Sequence, residues 1–275
     1  MGTTIVGVRP LNGLGTNTDI GKKTRKISCE DVRKGYTEEK ARRDLTTEPW
    51  TYYVLRPLSF VITPFFIRIG LGANAVTLLG LVPLLSGIVF ILFGSVSYSG
   101  FIIGAIFLNI WYLFDVIDGN IARFQETDSK YGALLDWTIG NICHILLPLC
   151  LGIGVYFSSF ARPVFDFGLN LPSWFWLWIS LVGLISNLFQ NLVSLKGQAV
   201  VGEKIANRIE YEISFRSILP RAIISSQLPM LFIASALNGL GIFIAFFSFY
   251  KVLVLFVMII MTLKKARISD KSKLK

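Results

Sequence analysis

Six stretches of near-continuous apolar sequence, about 75–95, 98–118, 132–157, 172–194, 217–237 and 239–263, punctuate this 275-residue chain. Each approaches the ~20 residues that an α-helix needs to cross a bilayer. The pattern therefore predicts an all-α integral membrane protein with six transmembrane helices. Ahead of the first stretch lies RPLSFVITPFFIRIG, interrupted by Pro57 and Pro64 and carrying Arg56 and Arg68. Its mixed character predicts a juxtamembrane segment lying in the interface, the other reading being an extension of the first span. The expected organisation is a polar, basic arm (1–50), the juxtamembrane segment (51–74), a six-helix domain of catalytic type (75–263) and a basic tail (264–275). Within the arm a short helix is expected near 37–45.

Composition agrees with the pattern. The chain is 53% hydrophobic and 16% charged, with a mean hydropathy of +0.61, whereas a soluble domain carries about 25% charged residues. The formal charge of +10 raises the question of nucleic acid, but its distribution answers with lipid. Lys and Arg fall in the arm, the 196–216 loop and the tail, all flanking apolar spans, as expected for topology and anionic headgroups. No nucleic-acid partner is expected. The 119–131 loop carries Arg123 and Lys130, while the intervening connections hold only Arg162. That asymmetry predicts both termini, and the 119–131 connection, on the cytoplasmic side. Trp174, Phe175, Trp176 and Trp178 mark a membrane boundary at the start of the fourth span. Cys29, Cys143 and Cys150 form no pattern that suggests a disulfide or a zinc site, and no cleavable leader is expected at the N-terminus.

The chemistry concentrates at one end of the second and third spans. A carboxylate at membrane depth costs about 2.5–3.5 kcal/mol on insertion scales, yet Asp115, Asp118 and Asp136 lie there together. Three residues apart, Asp115 and Asp118 share a helix face, and Asp136 meets them if the two spans form an antiparallel hairpin. Three hard oxygen donors suit Mg²⁺ or Mn²⁺ rather than zinc or copper. Gly119 and Ala122 leave room for a ligand against the helix, and Gly132 clears space opposite, although helix packing alone also uses such residues. Carboxylates held by Arg123 or Lys251 are the structural alternative. An ion or proton pathway would need polar residues continuing across the bilayer, and here they cluster at one end. Lys251, deep in the last span, reads equally as a phosphate contact and as a carboxylate partner. Arg216 and Arg221 read as cytoplasmic anchors, and Asn187, Gln190 and Asn191 as interhelical hydrogen-bonding groups.

The stretch FDVIDGNIARFQETDSKYGALLDWTIG reads Asp-x2-Asp-Gly-x2-Ala-Arg-x8-Gly-x3-Asp, which resembles the CDP-alcohol phosphotransferase (CDP-alcohol phosphatidyltransferase) family far better than an Asp-rich prenyltransferase. The GANAVT stretch resembles that family's Pro-Asn-x-x-Thr, with Asn74 and Thr77 retained and Ala73 in place of Pro; by itself Asn74 reads as a helix N-cap. The resemblance implies a membrane enzyme of phospholipid synthesis, in which an alcohol attacks the β-phosphate of a CDP-linked donor and releases CMP. It implies Asp115, Asp118 and Asp136 as metal ligands, with Gly119, Ala122, Arg123 and Gly132 in the nucleotide site. The donor is CDP-diacylglycerol with a polar acceptor, or a CDP-amino alcohol with diacylglycerol. A homodimer is a further implication. The family's pattern continues with x3-Asp, the proposed general base, and here Gly140 holds that position. Either another group takes the proton, with His144 one turn below as the candidate unless it is an inert core histidine, or the chain binds nucleotide or lipid without turnover.

Overall fold

The computed structural model describes residues 27–127, 129–158, 171–201 and 218–273. Much of the basic charge of the arm, Arg162 and Arg216, and the side chain of Arg221 lie outside the described residues. Among those described, the chain is entirely helical. Two short helices open it, α1 (Cys29–Arg33) and α2 (Glu38–Thr47), followed by a π-helical turn (Thr51–Leu55) and α3 (Arg56–Arg68). Five long apolar helices follow: α4 (Ala73–Phe93), α5 (Ser99–Gln125), α6 (Lys130–Phe157), α7 (Ser173–Val201) and, last, α10 (Leu240–Lys273). Each is long and apolar enough to cross a membrane.

The expected span at 217–237 is not continuous. It consists of α8 (Ile218–Ser225) and α9 (Gln227–Ala236), separated at Ser226. Pro229 accounts for the break: a proline has no amide hydrogen and its ring clashes with the carbonyl four residues earlier, here that of Ser225. The Ser225 hydroxyl instead bonds the carbonyl of Thr47 at 2.8 Å, tying the break to the arm. Five helices, rather than six, thus meet the length of a continuous span among the described residues.

Lipid and protein divide each long helix. On α4, Leu78, Val82, Leu85 and Val89 face outward, while Leu84, Ile88 and Ile91 pack inward against Phe101, Ala105 and Leu108 of α5. Between apolar helices in lipid the attraction comes from close packing, which small residues permit. A Cβ on Gly104 would stand 2.6 Å from Ile91 and 2.8 Å from the Gly87 carbonyl, so α4 and α5 approach as only glycines allow. At the other side of the bundle Gly183 of α7 admits Ser248 of α10, where a Cβ would lie 2.6 Å from the serine hydroxyl. With its apolar exterior and five such helices, the chain is a multi-pass membrane protein.

Before the bundle, α1 and α3 pack on α5, while α2 packs on the π-helical turn and on α8. Asp44 of α2 is fully buried and accepts from Arg56 Nε at 2.9 Å and from the Tyr36 hydroxyl at 3.1 Å, with Lys40 Nζ at 3.0 Å. Arg56 then reaches Asn120 of α5, donating to its Oδ1 at 2.9 Å. At 13 residues, α3 spans only about 20 Å, too little to cross a bilayer.

Candidate active site

A short connection joins the C-terminal end of α5 to the N-terminal end of α6, but the two helices pack far more on α4 than on each other, so the predicted hairpin is a splayed one. Ser129 caps α6 by accepting the Gly132 amide at 3.0 Å, and α5 stops at Glu126, whose left-handed φ of 53° turns the chain. The hairpin brings the Asp115 and Asp136 carboxyls into hydrogen-bonding contact, with Asp118 beside them. Asp118 is buried, and its Oδ2 accepts from Thr77 Oγ1 of α4 at 2.6 Å, which leaves Oδ1 for another partner. Asp136 is exposed on the open side of the hairpin.

Carboxylates in contact repel unless a proton or a cation lies between them. The leading charged neighbours of Asp115 are the acids Asp136, Asp118 and Glu48, while Arg123 bears on Asp118 and Arg43 lines the same cavity as Asp115. The donor set is hard oxygen throughout, the type that Mg²⁺ and Mn²⁺ prefer. As they stand, no three His, Cys, Asp or Glu side chains among the described residues converge on one point as a preformed metal group. The donors match such a cation in kind, though not yet in arrangement.

The small residues divide by role. Gly119 lies under the guanidinium of Arg123: a Cβ there would meet both terminal nitrogens at 3.4 Å. Arg123 is folded back along its own helix in this way, and one nitrogen also donates to Asn120 Oδ1 at 2.9 Å. Gly132 permits contact between α6 and α4, since its Cβ would stand 2.8 Å from Asn74 Oδ1. Asn74 is thus not the N-cap expected of it. That position belongs to Gly72, which has no capping side chain. Ala122 is partly buried one turn beyond Asp118, its carbonyl closing the end of α5.

Gly140 and His144 are placed differently from the carboxylates. A Cβ on Gly140 would meet nothing within 4 Å, so a larger residue fits there without displacement. His144 lies about two turns deeper than Asp136, where the charge it faces is Lys251 of α10. Lys251 is buried, and its ammonium has no hydrogen-bond partner. The structure therefore groups His144 with Lys251 and not with Asp115. Asn191 bonds Asn141 at 2.8 Å, Asn187 reaches the His144 carbonyl at 3.5 Å, and Gln190 the Lys251 carbonyl at 2.6 Å. These are interhelical hydrogen bonds, as the sequence suggests.

A cavity of about 340 Å³ opens on Asp115. Its other walls are Tyr112 of α5, Arg43 and Thr47 of α2, Glu48, and Ile224 and Ser225 of α8. Nothing in the spacing flags most of this wall, because Arg43, Thr47 and Glu48 lie more than sixty residues before Asp115, and Ile224 and Ser225 more than one hundred after it. Tyr112 alone had a local signal, being three residues before Asp115 and so on its face.

Comparison with known proteins agrees with the motif. Over 105 residues the chain is 36% identical to a phosphatidylinositol phosphate synthase of Streptomyces avermitilis, a match covering 37% of this chain and 37% of that protein. The chain thus matches well under half of that relative's length. The CDP-alcohol phosphatidyltransferase family matches over residues 71–264, which takes in α4 through most of α10 with the carboxylate hairpin inside it. On that extent of agreement, this chain belongs to the CDP-alcohol phosphatidyltransferase family.

Proposed function

We propose that the protein transfers a phosphatidyl or phosphoalcohol group from a CDP-linked donor to an alcohol, releasing CMP, in membrane phospholipid synthesis. The observation that carries this reading is the approach of the Asp115 and Asp136 carboxyls to each other with Asp118 beside them. Asp115, Asp118 and Asp136 would hold Mg²⁺ or Mn²⁺. That ion would supply charge neutralisation at the pyrophosphate, making CMP a better leaving group. Arg123, laid over Gly119 and bearing on Asp118, brings to the site a guanidinium, the group that suits a phosphate. Ala122 leaves the same face low, and Gly132 holds α6 against Asn74 opposite.

The relative's name supports a phosphatidyl unit as the group transferred, and so CDP-diacylglycerol as donor. The cavity beside Asp115 supports the same choice: six of its seven lining residues are polar or carry a hydroxyl, which suits a small polar alcohol better than diacylglycerol. The positive-inside pattern supports a cytoplasmic location for this end of the hairpin and for both termini. The pair α8 and α9, read end to end, serves as the sixth span.

A second reading is a family member that binds nucleotide or lipid without turnover, and Gly140 favours it, being unable to take a proton. One experiment tests both. Purified protein in lipid vesicles receives Mg²⁺ or Mn²⁺, CDP-diacylglycerol and a panel of small alcohols, beside Gly140→Asp, and CMP is measured. Metal-dependent release by the unaltered protein supports the enzyme. Release by Gly140→Asp alone supports the impaired form, and the open space at Gly140 makes a misfolded variant an unlikely confounder.

A further inference from the structure

An alcohol that attacks a phosphate must lose its proton, and this chain has glycine where its family's pattern has the carboxylate for that task. The structure offers a replacement on the other side of the same carboxylates. We propose that Glu48, from the arm preceding the bundle, is the general base for the acceptor hydroxyl. The proposal rests on the phosphotransferase reading above and deepens it.

Three features converge on Glu48. It lines the cavity of about 340 Å³ that opens on Asp115, so its carboxylate faces the space an acceptor would fill. Its charge bears directly on both Asp115 and Tyr112. And it forms no ion pair among the described residues, although Arg43 lines the same cavity.

Its backbone is held from three sides. Glu48 ends α2, donating its amide to the Asp44 carbonyl at 2.8 Å and accepting the Tyr52 amide at 2.9 Å. Asp44 is itself clamped by Arg56. The preceding carbonyl, of Thr47, takes the Ser225 hydroxyl at 2.8 Å, and Thr51 donates to the Tyr112 hydroxyl at 2.7 Å. The segment carrying Glu48 is thus fastened to both α8 and α5, so its position relative to Asp115 is fixed by the fold. His144, the alternative from the sequence, faces Lys251 instead.

In the step proposed, the acceptor O–H bond breaks and its proton passes to a Glu48 carboxylate oxygen. The acceptor oxygen forms the new bond to the β-phosphorus. The bond from that phosphorus to the bridging oxygen breaks, and CMP leaves with the electron pair. Glu48 then returns its proton to water through the open cavity.

The test compares four proteins in vesicles with CDP-diacylglycerol, Mg²⁺ and the alcohol panel: unaltered, Glu48→Gln, Gly140→Asp and the double variant. Binding of CMP with Mg²⁺ is measured in parallel by calorimetry. Glu48→Gln is expected to lower kcat by about 100-fold or more, the usual contribution of a general base, with CMP affinity unchanged. Gly140→Asp in the Glu48→Gln background is expected to recover at least about tenfold of that loss, because it restores a carboxylate at the position where the family's pattern has one. Turnover by Glu48→Gln within about threefold of the unaltered protein overturns the proposal, as does loss of CMP binding or a double variant no better than the single one. Silence from the unaltered protein and Gly140→Asp alike would sink the phosphotransferase reading itself, and Glu48 with it.

Discussion

Two groups of acids bear on Tyr112, one around Asp44 and one around Asp115, and they are treated in opposite ways. Asp44, fully buried, is surrounded by donors: Arg56 at 2.9 Å, Lys40 at 3.0 Å and Tyr36 at 3.1 Å. Burial works to raise its pKa, but Arg56 and Lys40 outweigh it and hold the carboxyl below the model-peptide value of 3.8. The Tyr36 hydroxyl is correspondingly pushed up to about 12, first by burial and then by the charge of Asp44. Asp115 is partly buried and has the acids Asp136, Asp118 and Glu48 as its leading charged neighbours, while Arg123 bears on Asp118. The first group holds the arm to the bundle. The second gathers like charges around one carboxyl, which is the signature of a site rather than a scaffold.

Removing an acid should therefore have opposite consequences in the two places. Asp44→Ala strands Arg56 in a buried position, and breaking such a pair costs about 3–5 kcal/mol. The expected result is a markedly lower unfolding midpoint, with early proteolysis between residues 27 and 68. Acid should weaken the same joint. Because the folded pKa of Asp44 lies below 3.8, its stabilisation is fully present above that value and is lost as pH falls through the folded pKa. Between about pH 5 and pH 8 the joint should not respond at all, and a protease-sensitivity titration that found a transition there would contradict this account.

Asp115→Asn predicts the reverse pattern. It relieves repulsion against Asp136, so the unfolding midpoint should hold or rise. CMP release should nonetheless fall by about 100-fold or more, the order lost with an electrostatic contact at a reacting phosphate. A variant that lost stability and activity together would make Asp115 part of the scaffold and erase the contrast with Asp44.

The sequence disclosed the two groups unequally. Asp115, Asp118 and Asp136 are legible because their spacing is local to one hairpin and because carboxylates stand out against apolar neighbours. The five long spans are legible for the same reason, as lipid imposes apolarity on every face. The broken span at Ser226 was hidden, since Ile224, Leu228 and Leu231 keep the hydropathy high straight through the interruption, and Pro229 alone signals it. The arm was read only as polar, basic sequence with a short helix near 37–45. Its helix α2 does form, at Glu38–Thr47. That Asp44 would be buried by Arg56, and Glu48 brought to Asp115, depends on contacts between distant segments, which no periodicity encodes. Asn74 misled for a related reason: its apparent capping position is local, while its neighbour Gly132 is 58 residues away.

That neighbour gives the next effect in size. Gly132→Ala places a methyl 2.8 Å from Asn74 Oδ1 and 3.1 Å from Ser129 Oγ. The backbone of α6 cannot yield without moving Asp136, so the strain is about 1–3 kcal/mol. Both stability and CMP release should fall, in contrast to Asp115→Asn, where only release falls. Gly140→Ala supplies the control, because its added methyl meets nothing within 4 Å.

The smallest expected effect is the most specific to the group around Asp115. Thr77 touches no substrate in this reading. It donates to one oxygen of Asp118 at 2.6 Å and is itself partly anchored, its hydroxyl also lying 3.0 Å from the Ala73 carbonyl. Such a bond fixes which carboxylate oxygen remains for a cation, and losing an orienting partner of a metal ligand costs about 10- to 100-fold in metal affinity. Thr77→Val keeps the shape and removes the donor. It should raise the Mg²⁺ concentration for half-maximal CMP release by about tenfold while leaving the rate at saturating Mg²⁺ nearly unchanged. Thr77→Ser, which restores the hydroxyl, should recover the original dependence. If Thr77→Val instead lowered the saturated rate with no change in Mg²⁺ dependence, Thr77 would act on something other than the metal. Asp118 would then belong with Asp44, as an acid satisfied by the protein itself.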